Sequence, residues 1–273
     1  MKEKILEVSH LTFAYDKSRN ALEDINVTIY QNEKIAVLGA NGAGKSTFFL
    51  NLNGVREPVK GEIRYRGEVV GRKEKVKLRK HVGIIFQDPD SQIIASTVKA
   101  EVAFGPMNMK LDREEVEKRT MAAIKEMNLE GYVMRPPHYL SGGEKKRVSI
   151  ADILAMDCEV MIFDEPTASL DPVNAQMLEE VLNRMEQDGR TILLSTHDVD
   201  FAYRFAERVL VFCDGKLIGD DTPQAIFKNE ELLEKANLKK PVFLELYELL
   251  RKKGKVEETS VYPRKLEELD LLL

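Results

Sequence analysis

Residues 39–47 read Gly39-Ala40-Asn41-Gly42-Ala43-Gly44-Lys45-Ser46-Thr47, a glycine-rich run that ends in a lysine and two hydroxyl side chains. Glycines let backbone N–H groups turn inward around phosphate oxygens, and a helix starting at the lysine adds its positive dipole end. In the pattern G-x-x-x-x-G-K-[ST] the lysine reaches the β- and γ-phosphates and the first hydroxyl holds Mg²⁺. The chemistry is therefore that of a nucleoside triphosphate, with Lys45 as the catalytic cation and Ser46 as a metal ligand. A second set lies downstream. Val160-Met161-Ile162-Phe163-Asp164-Glu165 is an apolar strand ending in two carboxylates. Asp164 can hold a Mg²⁺-bound water, and Glu165 can orient or deprotonate an attacking water.

Between these sets stands Leu140-Ser141-Gly142-Gly143-Glu144. Ser141 and Glu144 have capping-box spacing, an everyday helix start. A capping box does not need two consecutive glycines, which weaken the first turn. They make sense if the backbone must approach something closely, and a bare helix N-terminus attracts anions. One chain thus carries two phosphate-binding elements.

The elements that must position these groups follow from hydrophobic period. Residues 5–30 alternate, with Ile25, Val27 and Ile29 on one face and Asn26, Thr28 and Tyr30 on the other, which predicts an antiparallel sheet. Ile35–Leu38 is a continuous apolar strand, followed by the glycine loop and a helix from about Lys45 to Asn53. A hairpin is predicted at Ile63–Val70, buried strands at Val82–Phe86, Val160–Phe163, Thr191–Ser195 and Val209–Phe212, and helices at Asp112–Met127, Val173–Gln187 and Val199–Phe205. Apolar strands alternating with helices predict an α/β fold with a parallel sheet covered on both faces. The hairpin Val209–Leu217 closes this core. Beyond Gln224 the chain reads as helical and charged, with an apolar stripe at Val242, Phe243, Leu246, Leu249 and Leu250 and a last short helix within Leu266–Leu273.

The chain's 273 residues, 43% apolar and 32% charged, suit one large folded unit with subdomains. A net charge of −5 argues against a nucleic-acid surface, which carries a basic excess. Cys158 and Cys213 sit in apolar segments and read as small buried side chains in a reducing compartment. No signal-peptide core precedes Ile5, and no apolar run reaches the roughly 18 residues needed to span a bilayer. Any role at a membrane is expected to pass through partner chains.

Taken together, the motifs resemble the ATP-binding-cassette (ABC) ATPases. Leu140–Glu144 is similar to that family's signature, with Glu144 where glutamine is common. The resemblance implies that Ser141, Gly142 and Gly143 cover the ATP held by the phosphate loop of another subunit. It assigns Gln87, after a buried strand, to sensing Mg²⁺ and the attacking water. His197, after Thr191–Ser195, resembles the switch histidine that contacts the γ-phosphate. Ser169-Leu170-Asp171 resembles the loop that crosses to the partner, although Asp171-Pro172 is also a good helix start. Tyr15 stands where the family sets an aromatic ring against adenine, with Phe13 as a rival. The resemblance covers about residues 5–225. It implies a P-loop NTPase core with an antiparallel β subdomain and a helical signature subdomain: an ATPase unit over 1–225, with its helical part near 88–157, and a helical C-terminal extension over 226–273.

A finer resemblance runs through Phe86-Gln87-Asp88-Pro89-Asp90-Ser91-Gln92-Ile93, Thr97-Val98 and Val102-Ala103-Phe104-Gly105. It is to ATPases of energy-coupling-factor importers for vitamins and metals. Thr196-His197-Asp198-Val199-Asp200-Phe201 leans toward the cobalt subgroup. The resemblance implies ATP and Mg²⁺, a head-to-tail dimer with itself or a paralogue, integral membrane partners, no nucleic acid, and a place on the cytoplasmic face of the cell membrane. The C-terminal stripe either dimerises, as in those ATPases, or packs on its own domain. Cys158 and Asp152 depart from common family residues, both away from the nucleotide. An importer for nickel or a vitamin, or an iron–sulfur assembly ATPase, stays open. Repair and translation relatives need a long coiled-coil insertion or a second cassette, and the sequence has neither.

Overall fold

The alternating residues near the start do pair as an antiparallel sheet. In the computed structural model, which describes residues 2–16, 19–168, 170–256 and 262–272, strand β1 (Lys4–Phe13) pairs with β2 (Leu22–Tyr30) and, on its other side, with β4 (Lys60–Tyr65). The short β5 (Glu68–Val69) completes a four-stranded sheet of order β2-β1-β4-β5. Ser169 and Leu273, both part of the sequence expectations, lie outside the described residues.

The second sheet is built from β3 (Lys34–Leu38), β6 (Val82–Ile85), β7 (Val160–Phe163), β8 (Thr191–Ser195), β9 (Arg208–Cys213) and β10 (Lys216–Asp221). Its order is β10-β9-β3-β8-β7-β6, and only the β9–β10 hairpin is antiparallel. Both faces of the parallel part are buried, which explains the unbroken apolar runs. Ile35, Val37, Ile162 and Leu193 face the antiparallel sheet together with α1 (Lys45–Leu52), whose Phe48, Phe49 and Leu52 are fully buried. Each such side chain contributes about 1.5–3 kcal/mol of transfer free energy. Ala36, Leu38, Met161, Phe163 and Leu194 face the opposite way, into the larger core under the helices.

Between β5 and β6 lies α2 (Glu74–Leu78). Those covering helices include α3 (Val98–Asn108), α4 (Arg113–Glu126) and α5 (Gly142–Met156), which pack on one another beside β6. Next come α6 (Pro172–Gln187) and α7 (Val199–Phe205). The tail forms α8 (Pro223–Lys228), α9 (Glu230–Ala236), α10 (Val242–Lys252) and α11 (Leu266–Asp270).

The C-terminal stripe divides between core and surface, and one cysteine expectation changes. In α10 the fully buried residues are Leu244 and Tyr247; of the expected stripe, Phe243 and Leu250 pack against the core while Val242, Leu246 and Leu249 are 66, 40 and 48% exposed. Helical spacing identified an apolar surface but not which part of it the domain covers. The Tyr247 ring packs on Tyr262 at 4.7 Å. Cys158 is buried as expected, but Cys213 is only half-buried at the end of β9.

Candidate active site

The site forms at the carboxyl ends of the parallel strands, where β3, β7 and β8 stop side by side. The loop after β3 is shaped by glycines that nothing else could replace. Gly39 has φ +144°, and a Cβ there would lie 2.3 Å from the Phe212 carbonyl oxygen. Gly44 has φ +110° and would set a Cβ 2.9 Å from the Ala21 carbonyl oxygen. The loop is pinned by Ala43 N–H to Ala40 O at 3.1 Å and by Gly215 N–H to Ala43 O at 3.0 Å. Ala40, Asn41 and Gly42 form its exposed rim. Helix α1 starts directly after Gly44, with no side-chain cap and no acid in its first turn. Its first N–H groups are thus directed at the loop's hollow, the arrangement that binds phosphate.

Lys45 is 5% exposed and donates to the carbonyl oxygens of Gly39 (2.7 Å) and Ala40 (3.2 Å). Its ammonium also lies 3.8 Å from Glu165. Burial pushes the Lys45 pKa down, and the charges of Glu165 and Asp164 pull it back up.

Glu165 is the meeting point of the site. One carboxylate oxygen is 2.6 Å from His197 Nε2, and the other accepts from Gln87 Nε2 at 3.0 Å. Its φ is +45°, a left-handed conformation that costs a non-glycine residue of order 1 kcal/mol or more. Ser195, the last residue of β8, holds the bend. Its hydroxyl accepts from the Glu165 N–H at 2.8 Å and donates to Asp164 Oδ1 at 2.7 Å. Ser195 is fully buried and its role escaped the sequence reading, where it appeared only as a strand end. The clue was present: a hydroxyl at the carboxyl edge of a central strand, two residues before His197.

Asp164 is 6% exposed, and Ser46 is exposed at the start of α1. A carboxylate and a hydroxyl are hard oxygen donors, and Mg²⁺ is ordinarily held by one or two protein oxygens plus substrate phosphates. Among the described residues no group of three or more His, Cys, Asp or Glu could hold a metal alone. Ser46, Asp164 and Gln87 are oxygen donors that would suit a Mg²⁺ carried in on phosphates.

Tyr15 lies at the rim, 57% exposed, with its ring edge-on to Phe13 at 5.0 Å and its hydroxyl 3.1 Å from Thr47 Oγ1. Phe13 is buried, so of the two rings Tyr15 is the one open to a base.

The residues Ser141, Gly142 and Gly143 stand apart. Ser141 caps α5 by accepting from Glu144 N–H, and Glu144 returns the bond to Ser141 N–H at 2.7 Å. The Tyr132 hydroxyl, then the Ser141 N–H, hold the Glu144 carboxyl down to about 2. No hydrogen bond from the Gly142 or Gly143 N–H occurs among the described residues. A Cβ on Gly142 would meet nothing within 4 Å. The cleft beside it, about 520 Å³, is lined by Gln87, Asp88, Asp90, Lys145, Lys146 and Ala168 among others, and by none of residues 39–47.

Residues 22–168 match the ABC transporter family. The energy-coupling factor transporter ATP-binding protein of Methanocaldococcus jannaschii is 47% identical over 254 residues, 92% of this chain and 91% of that protein. The solved structure of cbiO1 from Clostridium perfringens, described as part of the ABC transporter complex cbiONQ, superposes with a TM-score of 0.75 at 38% identity. It covers 92% of this chain and 100% of that one. A dimeric ATP-binding cassette bound to ADP and Pi in a post-hydrolysis state gives 0.73 at 27% identity, over 80% of this chain and 99% of that one. No helix among the described residues is long and apolar enough to cross a membrane. The chain belongs to the ABC transporter family, among its energy-coupling-factor ATP-binding proteins, and is an ATP-hydrolysing transport subunit.

Proposed function

We propose that two copies of this chain, or this chain and a paralogue, sandwich two ATP molecules head to tail and power the uptake of cobalt ions through membrane partners. The observation that carries the pairing is the unused face of α5. Its glycine N–H groups have no partner among the described residues, and no neighbour there crowds the place of a side chain at either glycine. They fit the γ-phosphate of an ATP held by another subunit's Gly39–Thr47.

Within each composite site the residues divide the work. Lys45 and the N-terminus of α1 hold the phosphates and offset the charge that builds on them. Mg²⁺ held by Ser46, Asp164 and Gln87 would supply further charge neutralisation at the phosphoryl oxygens. Glu165 accepts the proton of the attacking water. Gln87 and His197, each hydrogen-bonded to that carboxylate, aim it and report the γ-phosphate. Loss of the γ-phosphate removes the contact that Ser141, Gly142 and Gly143 make, and the pair reopens. The exposed Ile94, Phe104 and Met107 on and before α3 provide the apolar ground for a membrane subunit. Cobalt as cargo is supported by the run Thr196–Phe201 and by the likeness to cbiO1. The cytoplasmic face is the side on which ATP is available.

Glu165→Gln tests the assignment. It should bind ATP within about twofold of the native protein, hydrolyse it 10²–10⁴-fold more slowly, the range expected for general acid–base catalysis, and run as a dimer on size exclusion with ATP. Undiminished turnover would take Glu165 out of the base role.

A further inference from the structure

The helix that presents Ser141, Gly142 and Gly143 also grips the chain's own water-sensing segment. Lys146, on the first turn and a half of α5, is 2% exposed. Its ammonium donates to the carbonyl oxygens of Phe86 (2.7 Å) and Gln87 (3.0 Å). Gln92 ties the same segment from the other side. Its Oε1 accepts from the Phe86 N–H at 3.3 Å, while its Nε2 donates to Ser149 O (3.1 Å) and Asp152 Oδ2 (3.2 Å) on α5. Lys145 adds an ion pair with Asp90 at 2.7 Å. The side chain of Gln87 in turn reaches Glu165.

We propose that Lys146 is a positioning residue that makes α5 and Gln87 one mechanical unit. Docking of α5 on the partner's ATP then sets Gln87 against Glu165 in the chain's own site. The inference rests on the cross-subunit reading of Ser141–Gly143. The path is short: Gly142 and Gly143 lead along the first turns of α5 to Lys146, whose ammonium bonds the Gln87 carbonyl, and the Gln87 side chain carries it to the hydrogen bond with Glu165. An ammonium is costly to take out of water unless oxygens meet it. Here it meets two carbonyl oxygens on a segment that belongs to no helix or strand, so it fixes a stretch that the backbone ladder leaves loose. The consequence is that each closure event prepares both sites, one through the glycine N–H groups and one through Gln87.

A double-variant cycle on the full chain tests this. Steady-state ATP hydrolysis is measured for the native protein, Lys146→Met, Gln87→Ala and the double variant. Lys146→Met should lower kcat about tenfold with KM for ATP within about twofold, and should add no further loss on top of Gln87→Ala. Lys146→Arg should recover part of the loss. A residue that only holds the fold together would instead give losses that multiply in the double variant. That result, or a native kcat in Lys146→Met, overturns the coupling. If Lys146→Met does not fold, Lys146→Gln keeps a donor in place. Its smaller loss should vanish in the Gln87→Ala background, and a loss that persists there overturns the coupling. A native kcat for Gln87→Ala alone overturns both this inference and the role of Gln87. Turnover surviving in Ser141→Arg overturns the cross-subunit reading while leaving the Lys146–Gln87 cycle standing.

Discussion

Helices α1 and α5 both begin at glycines, yet the fold itself demands only the first set. At α1 the fold itself demands them: Gly39 and Gly44 have positive φ, and a side chain at either would strike backbone within 3 Å. No side chain caps that helix, so its first N–H groups are left for a phosphate lodged in its own loop. At α5 the fold demands nothing. Its glycines have ordinary φ, Gly142 has open space, and Ser141 and Glu144 close a capping box. Glu144 even puts a carboxylate in the first turn, which weakens the anion attraction of that N-terminus. The difference teaches that the phosphate loop at α1 takes its shape from its own fold, while the glycines of α5 find their use only in the proposed pairing with a second molecule.

Gly39→Ala should break the α1 side outright. The clash with Phe212 O forces the loop out of shape, and ATP affinity should fall more than ~100-fold in titration calorimetry, since several phosphate hydrogen bonds go together. Near-native affinity would show that the loop tolerates a Cβ. Gly142→Ala should separate the two regions. Alanine is the better helix former by up to about 1 kcal/mol, so thermal stability should hold or rise slightly and the isolated chain should bind ATP as before. Turnover should nonetheless fall about tenfold, because in the proposed pairing the added methyl stands where the partner's ATP approaches. Unaffected turnover would mean that the open space is not used.

The far end of α5 offers a smaller effect. Burial, opposed by Gln92 and aided by the charge of Glu101, raises the Asp152 pKa to about 7. A carboxyl with a raised folded pKa stabilises most below its ordinary value near 4 and loses that contribution as pH rises through about 7. Asp152→Asn does not titrate. Its melting temperature relative to the native protein should therefore climb by about 5 °C between pH 5 and pH 8. A constant difference across that range would place Asp152 in an unperturbed setting.

Much of this was legible in the sequence because the chemistry is local. The loop Gly39–Thr47, the pair Asp164-Glu165 and the capping box at Ser141 are each contiguous, and period alone placed the strands that carry them. What escaped was the side-chain traffic between distant segments. Ser195 reads as a polar strand end until β7 and β8 lie adjacent and its hydroxyl spans Asp164 and Glu165. Lys146 reads as one more lysine in a charged helix until α5 packs beside the segment after β6. The α10 stripe was legible only in part: helical spacing reports an apolar face, and only tertiary packing decides that Leu244 and Tyr247 go inside with Phe243 and Leu250 against the core, while Val242, Leu246 and Leu249 stay exposed.

The central claim, that neither phosphate element completes a site within its own chain, is tested most directly by complementation. Lys45→Ala and Ser141→Arg are each prepared, shown to be inactive alone, and mixed in equal amounts with ATP. A mixed pair unites the sound loop of one chain with the sound signature helix of the other. The mixture should then recover about a quarter of native hydrolysis, since half of the pairs are mixed and each has one intact site of two. A mixture as inactive as its components would contradict the account and place the whole site within one chain.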